Sequence, residues 1–577
     1  MTDRIRFTLT LFLFFGVVIT LRLFYWQIIS GSELAALADS QHSSLIQVPS
    51  QRGKIITSDG FSLVSNQPAY LTYAYLPQFT EDIDKAAFKL AQILAPEPES
   101  TTASAKLTRQ LIENTEATIA SRLANQNVAW TPLARKITPE QKAQVEALGY
   151  SGIGFENESI RFYPEASMSA HLLGFVGSDQ NGLAQGYFGL EGFYNLELRG
   201  RAGIIRQEKD ATGKPILVGG FGGFESKNGR NLVLYLDRSV QRIVEAALEE
   251  AIKRYGAKSG EVLIMEPATG GIIASASFPH YDPSDFSKFD NSLFKNPAVA
   301  DSYEPGSTFK VLVVAAALDE GVVEPDTKCD ICEGPLTIGE YTISTWNQKY
   351  NPGITTTEII QYSDNVGMVF VGRKIGKEKL HQYLTNFGIG QPTGIDLEEE
   401  TTPQLRPWEK WGDIHLATTS FGQGVAVTGV QMLTAVSAIA NGGKLMQPQV
   451  VHEIQGATTV SLNSKQVRQV ISPETAEEMT RIMVNAVTNG EAQWTKIKGY
   501  QIAGKTGTAQ VAIAGNYDEE KTIASFVGFA PADKPKFAML VKLREPTTSP
   551  WAAETAAPLW TSIARKLFLY YGIPPDS

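Results

Sequence analysis

The chain has 577 residues, enough for three or four domains of ordinary size or two large ones. Its composition, 43% hydrophobic and 19% charged, is globular and excludes a disordered or collagen-like chain. A formal charge of −10 argues against a protein built to grip nucleic acid. Two cysteines, Cys329 and Cys332, exclude a disulfide scaffold and a four-cysteine zinc site. No two of the six histidines stand three or four residues apart, so neither a metal centre nor a cofactor is expected.

Residues 7–21 carry no charge, and counted to Trp26 the apolar segment is about 30 Å long as a helix, enough to span a bilayer. Arg22 can snorkel to the interface, and Phe24, Tyr25 and Trp26 suit the aromatic belt there. Arg4 and Arg6 favour a cytoplasmic amino end. Ala36-Leu37-Ala38 resembles a signal-peptidase site but lies far beyond the apolar core, so an uncleaved anchor fits better. Either way, residues after about 30 are expected outside the cytoplasm.

Further on, residues 50–66 alternate Gly turns with short β-branched runs and read as hairpins. Helices are expected over Ile83–Leu94 and residues 106–124, with a loop at Pro96-Glu97-Pro98-Glu99. Residues 200–229, rich in Gly and polar side chains, read as loops and hairpins at a domain boundary. Beyond them come a strand at 232–236 and a helix capped by Asp237 and running to Leu248. A strand pair at 261–265 and 271–275 follows. Residues 311–318 are apolar on every side, as a buried helix requires. A helix at 430–440 and strands near 502–511 and 525–530 complete an α+β domain over 226–577.

Three motifs lie in this domain. Ser307-Thr308-Phe309-Lys310 is S-x-x-K: on a helix, positions i and i+3 share a face, so the Lys310 amine can approach the Ser307 hydroxyl. Pro305-Gly306 sets the turn that places Ser307 at the helix start, and the buried helix behind it would desolvate Lys310 into a usable base. Ser363-Asp364-Asn365 is S-x-N, and Lys505-Thr506-Gly507-Thr508 is K-T-G-T. Gly507 would let a substrate backbone lie close to a strand, with Lys505, Thr506 and Thr508 facing an anion. Each motif alone is weak, for Ser292-Leu293-Phe294-Lys295, Ser226-Lys227-Asn228 and Ser461-Leu462-Asn463 match by chance. In this order the three form the set of penicillin-binding proteins and class A β-lactamases. Residues 499–506 also fit the P-loop pattern, but QWTKIK before them is no buried strand and Gly507 after them breaks a helix.

With these residues in view, the chain resembles a class B penicillin-binding protein, a monofunctional peptidoglycan transpeptidase. The resemblance also rests on Arg161-Phe162-Tyr163-Pro164, Gly189-Leu190-Glu191-Gly192, Tyr303-Glu304-Pro305-Gly306 and Phe421-Gly422-Gln423-Gly424. Thr57-Ser58-Asp59-Gly60 replaces the family's more usual Asp-Arg-x-Gly. The run Ser-Asp-Asn-Val-Gly is more similar to the division-specific FtsI branch than to the elongation branch.

The resemblance implies a short cytoplasmic segment (1–6), a transmembrane anchor (7–29), a pedestal (30–225) and a transpeptidase domain (226–577) with an antiparallel sheet flanked by helices. It implies Ser307 as nucleophile, Lys310 as general base, Ser363 as proton relay and Lys505 in the same network. Asn365 would orient the substrate amide and Lys310, and Thr506 and Thr508 would bind the terminal carboxylate of a D-Ala-D-Ala stem peptide. β-Lactams would acylate Ser307, and a SEDS-family glycosyltransferase would be the membrane partner. A hydrolase acting on the same bond and a non-catalytic β-lactam-binding scaffold are the competing readings. His171 reads as a packed pedestal residue and Asp364 as a turn former. Cys329-x-x-Cys332 reads as structural, either a small-loop disulfide or two packed thiols.

Overall fold

The computed structural model describes residues 2–96, 105–125, 127–180, 183–208, 222–513 and 516–575. The chain forms two compact units, one of residues 1–52, 69–158 and 200–229 and one of 53–68, 159–199 and 230–577.

In the first unit, an α-helix over Thr2–Phe24 continues into a π-helical turn at Tyr25–Ile29. No side chain in the helix is buried, and this is the one helix among the described residues long and apolar enough to cross a membrane. The Arg22 guanidinium lies 5.0 Å from the Trp26 ring, so the cation rests on the expected aromatic belt. Further along, Asp82 caps Ile83–Leu94 by accepting from the Lys85 amide. The helix buries Ala86, Ala87, Leu90, Ala91 and Leu94, a stripe at helical spacing. The stripe packs with Ile119 of the helix Ala105–Leu123 and with Leu133 of the strand Trp130–Ile137. Strands Ser43–Val48, Gly203–Glu208 and Gly222–Phe224 form an antiparallel sheet. Residues 209–221 of the loops expected at 200–229, and 97–99 of the loop expected at 96–99, lie outside the described residues.

In the second unit, Ile55 and Ile56 pair antiparallel with Val64 and Ser62 around the turn at 57–60, the hairpin expected there. Ile55 and Ile56 also pair in parallel with Leu232 and Val233. A buried ion pair, Arg161 to Glu191 at 2.7 Å, ties the two family-like segments that carry them.

The large domain of this unit is built on eleven elements. They are α1 (Arg238–Tyr255), β1 (Ser259–Met265), β2 (Ile272–Phe278), α2 (Lys310–Asp319), α3 (Asn365–Ile375) and α4 (Gly429–Ala440). Then come α5 (Pro473–Asn489), β3 (Ala503–Ile513), β4 (Asn516–Ala530), β5 (Phe537–Arg544) and α6 (Ala556–Tyr570). The strands form one antiparallel sheet in the order β2-β1-β5-β4-β3. Alternation along β1 sends Val262 and Ile264 into a core with α1 and α6, and Leu263 and Met265 into a larger core with α2, α3 and α4. Both faces are thus covered, which is why β5 is buried from Phe537 to Leu543 and apolar there except at Lys542, which pairs with Glu261 at 2.9 Å. Helix α1 runs seven residues past the expected end at Leu248, because Ala251, Ile252 and Tyr255 continue its buried stripe up to the left-handed Gly256.

Candidate active site

The turn that carries Ser307, the expected nucleophile, is held from two sides. Gly306 sits at φ +55° and its amide donates to the Gly422 carbonyl at 3.0 Å. Gly422 is itself at φ +81°, and a Cβ there would overlap the Gly306 carbonyl. This gives the Phe421-Gly422-Gln423-Gly424 segment a physical role. A 3₁₀ turn over Gly306–Phe309 then runs directly into α2. Ser307 is half-buried on this turn, and its Oγ makes no hydrogen bond among the described residues. Catalytic contacts of this kind commonly tighten only when substrate is bound.

Helix α2 is buried over 310–317, so its first residue, Lys310, is fully buried too. The Lys310 Nζ donates to the Ser363 carbonyl at 2.7 Å and to Asn365 Oδ1 at 2.7 Å, with a longer contact to Ser363 Oγ at 3.4 Å. These acceptors offset part of the cost of burying the amine. Burial still pushes its pKa down to about 7, helped by the Lys505 charge and opposed by Glu491 and Asp364.

Ser363 stands at φ +57°, immediately before Asp364, which caps α3 by accepting from the Gly367 amide at 2.9 Å. Asp364 is therefore the turn former expected. The Asn365 amide nitrogen donates to the Ser344 carbonyl at 3.0 Å, which fixes its oxygen toward Lys310. On β3, Thr506 and Thr508 line a cavity of about 420 Å³ together with Ser307, Ser363 and Asn365. Thr508 Oγ1 accepts from the Ala552 amide at 3.1 Å.

Two expectations about β3 change. Lys505 does not line the cavity: it is buried, and its Nζ donates to the Thr506 carbonyl and to Thr506 Oγ1, both at 3.1 Å. Burial lowers its pKa, against the pull of Glu491. Gly507 points its missing side chain inward. A Cβ there would crowd Thr308 Cγ2 at 2.7 Å and Ser525 Oγ at 2.8 Å, so the glycine lets β3 press against the nucleophile turn.

Sequence reasoning missed several cavity residues. Glu491 accepts from Thr506 Oγ1 at 2.9 Å, and Trp346, Trp494 and Trp551 stand half-exposed around the cavity. Trp346 and Trp551 pair with ring centroids 5.1 Å apart. None belongs to a motif, and nothing short of the fold brings them together. The P-loop alternative lacks its frame: β3 runs straight through Lys505 and Thr506 with no helix after them. His171 is buried against Tyr281, and burial pushes its pKa down to about 4. Cys329 and Cys332 form a disulfide buried in the larger core, closing the choice left open by the sequence.

Known proteins share this arrangement. The family model for the penicillin-binding protein transpeptidase domain matches residues 260–568, and that for the penicillin-binding protein dimerisation domain matches 47–234. Stage V sporulation protein D of Bacillus subtilis is 34% identical over 99% of this chain and 87% of its own. A Mesostigma viride protein named peptidoglycan D,D-transpeptidase FtsI homolog is 29% identical over 96% of this chain and 94% of its own. The crystal structure of penicillin-binding protein 3 from Mycobacterium tuberculosis, complexed with aztreonam, superposes with a TM-score of 0.69. It covers 92% of this chain and 98% of its own at 23% identity, a likeness of fold. The chain belongs to the penicillin-binding protein transpeptidases, in the class B arrangement of a dimerisation domain followed by a transpeptidase domain.

Proposed function

We propose that this enzyme cross-links septal peptidoglycan through an acyl-enzyme on Ser307. The observation that carries the proposal is the buried Lys310, held by Ser363 and Asn365, which line one cavity with Ser307, Thr506 and Thr508. Ser307 Oγ attacks the carbonyl between the two terminal D-Ala residues, and Lys310, neutral above pH about 7, takes the hydroxyl proton. The backbone amides of Ser307 and Thr508 form the oxyanion hole, each donor contributing about 3 kcal/mol. Ser363 passes a proton to the departing amine as the C–N bond breaks, with Lys505 in the same network. Asn365 orients the substrate amide, and Thr506 and Thr508, on the strand that Gly507 lets close over the turn, form the carboxylate subsite. An amine from a neighbouring stem then attacks the ester, forms the new amide and returns the proton and the hydroxyl to Ser307.

β-Lactams, whose amide and carboxylate mimic the donor, acylate the same serine. The helix over residues 2–29 anchors the chain in the cell membrane with the rest outside the cytoplasm, and the Cys329–Cys332 disulfide supports an oxidising compartment. A division role draws support from the likeness to the FtsI homolog, and a SEDS-family glycosyltransferase is the partner expected in the membrane.

The test is a donor–acceptor assay with a D-Ala-D-Ala thioester mimic and a free amino acid as acceptor. A new amide product that requires Ser307 is expected, and hydrolysis alone, whatever the acceptor concentration, contradicts transfer. Depletion in the native host separates the cellular roles: filaments without septa fit division, whereas rounded cells point to elongation.

A further inference from the structure

Within the carboxylate subsite the two threonine hydroxyls are not equivalent. A threonine hydroxyl has a single proton to donate. Thr506 Oγ1 gives that proton to Glu491 Oε2 at 2.9 Å and accepts from Lys505 Nζ at 3.1 Å. Thr508 Oγ1 accepts from the Ala552 amide and donates to nothing among the described residues, so its proton remains available to a ligand. Glu491 also lines the cavity, which sets a carboxylate beside the place where the donor's own carboxylate must lie.

We propose that Glu491 is a specificity-determining residue: it takes the Thr506 hydroxyl proton, leaves anion recognition to Thr508, and so relaxes the demand for a charged terminus on the donor peptide. The inference rests on the acyl-transfer reading of the site. An anionic donor meets one hydroxyl where two are present, and meets the Glu491 charge as well. A donor ending in a primary amide loses less, because its N–H groups can donate to the Glu491 carboxylate. Wild-type enzyme therefore discriminates weakly between the two. Glu491→Gln keeps the shape and an acceptor oxygen but removes the charge, whereas Glu491→Ala also removes the acceptor and releases the Thr506 proton toward the cavity.

The experiment compares acylation efficiency of the full-length protein toward a carboxylate-ended thioester donor and its primary-amide analogue. In Glu491→Gln the ratio of acid to amide should rise about tenfold, because a like charge is removed from beside the donor carboxylate. Thr506→Val should cost more toward the acid donor in the Glu491→Ala background than in wild type, because only there is the hydroxyl free to donate. Glu491→Ala should move the ratio in the same direction and guards against a misfolded glutamine variant, as does an unchanged melting temperature. Equal change toward both donors would reduce Glu491 to a structural role and overturn the proposal, and so would identical Thr506→Val effects in the two backgrounds. A wild-type protein that forms no Ser307 ester with either donor would instead overturn the acyl-transfer reading itself.

Discussion

The proposed chemistry of this chain concentrates on one amine, that of Lys310. S-x-x-K put it one turn from Ser307, and the all-apolar run behind it foretold its burial. The resemblance set Asn365 beside it, but the Ser363 carbonyl was not foreseen as an acceptor, because both groups reach the amine only through the packing of α3. Glu491 was equally invisible, being a lone carboxylate in a loop that matters only once β3 lies beside it. The pKa of about 7 fixes a sign. The base is protonated below that value, so the rate of Ser307 acylation should climb between pH 6 and pH 8 with a midpoint near 7. Stopped-flow acylation by a chromogenic cephalosporin measures it, and a flat profile would contradict Lys310 as the base. Lys310→Ala should lower the same rate by about 10³-fold. The lowered pKa also makes folding less favourable below pH 7, and stability is regained as pH rises from there toward the unfolded value near 10.4. Lys310→Met should flatten that part of the stability profile in thermal melts.

Among the elements, those with a strong period or an apolar run were legible: α2, α4, the helix Ile83–Leu94, β1, β2, β3 and the end of β4, whereas β5, interrupted by Lys542, was not expected. Errors fell where packing decides. Helix α1 outlasted its expected end because its stripe still faced the sheet, and Gly507 proved to serve the approach of β3 to the nucleophile turn. The same crowding makes Gly422 a test of the turn. Gly422→Ala places a methyl against the Gly306 carbonyl at a left-handed position, and should cost about 2 kcal/mol of stability along with several-fold slower acylation. An alanine variant that melts and acylates like wild type would show that the turn does not depend on Gly422. The disulfide is a lesser prop. Its ring closes a separation of only three residues, so Cys329→Ser with Cys332→Ser should lower stability by about 2 kcal/mol and leave Ser307 reactive. Chemical denaturation, read beside penicillin labelling, checks both parts.

For the whole molecule, two family models in sequence, an amino-terminal helix apolar and long enough to cross a membrane and a cavity lined by Ser307 describe a transpeptidase for which we propose a membrane tether. Removing residues 1–29 should release the protein from the membrane fraction while sparing acylation, since no residue of the cavity comes from that helix. Fractionation with and without detergent measures the first part. The central claim, that Ser307 is the acyl-accepting nucleophile, has a more direct test. Purified protein is incubated with a fluorescent penicillin, and wild type is compared with Ser307→Ala by gel fluorescence and by mass spectrometry of the labelled peptide. The account predicts a stable label on the peptide that carries Ser307, absent from the alanine variant and lost only slowly. A label that survives in Ser307→Ala, or a folded wild-type protein that takes none, would contradict it.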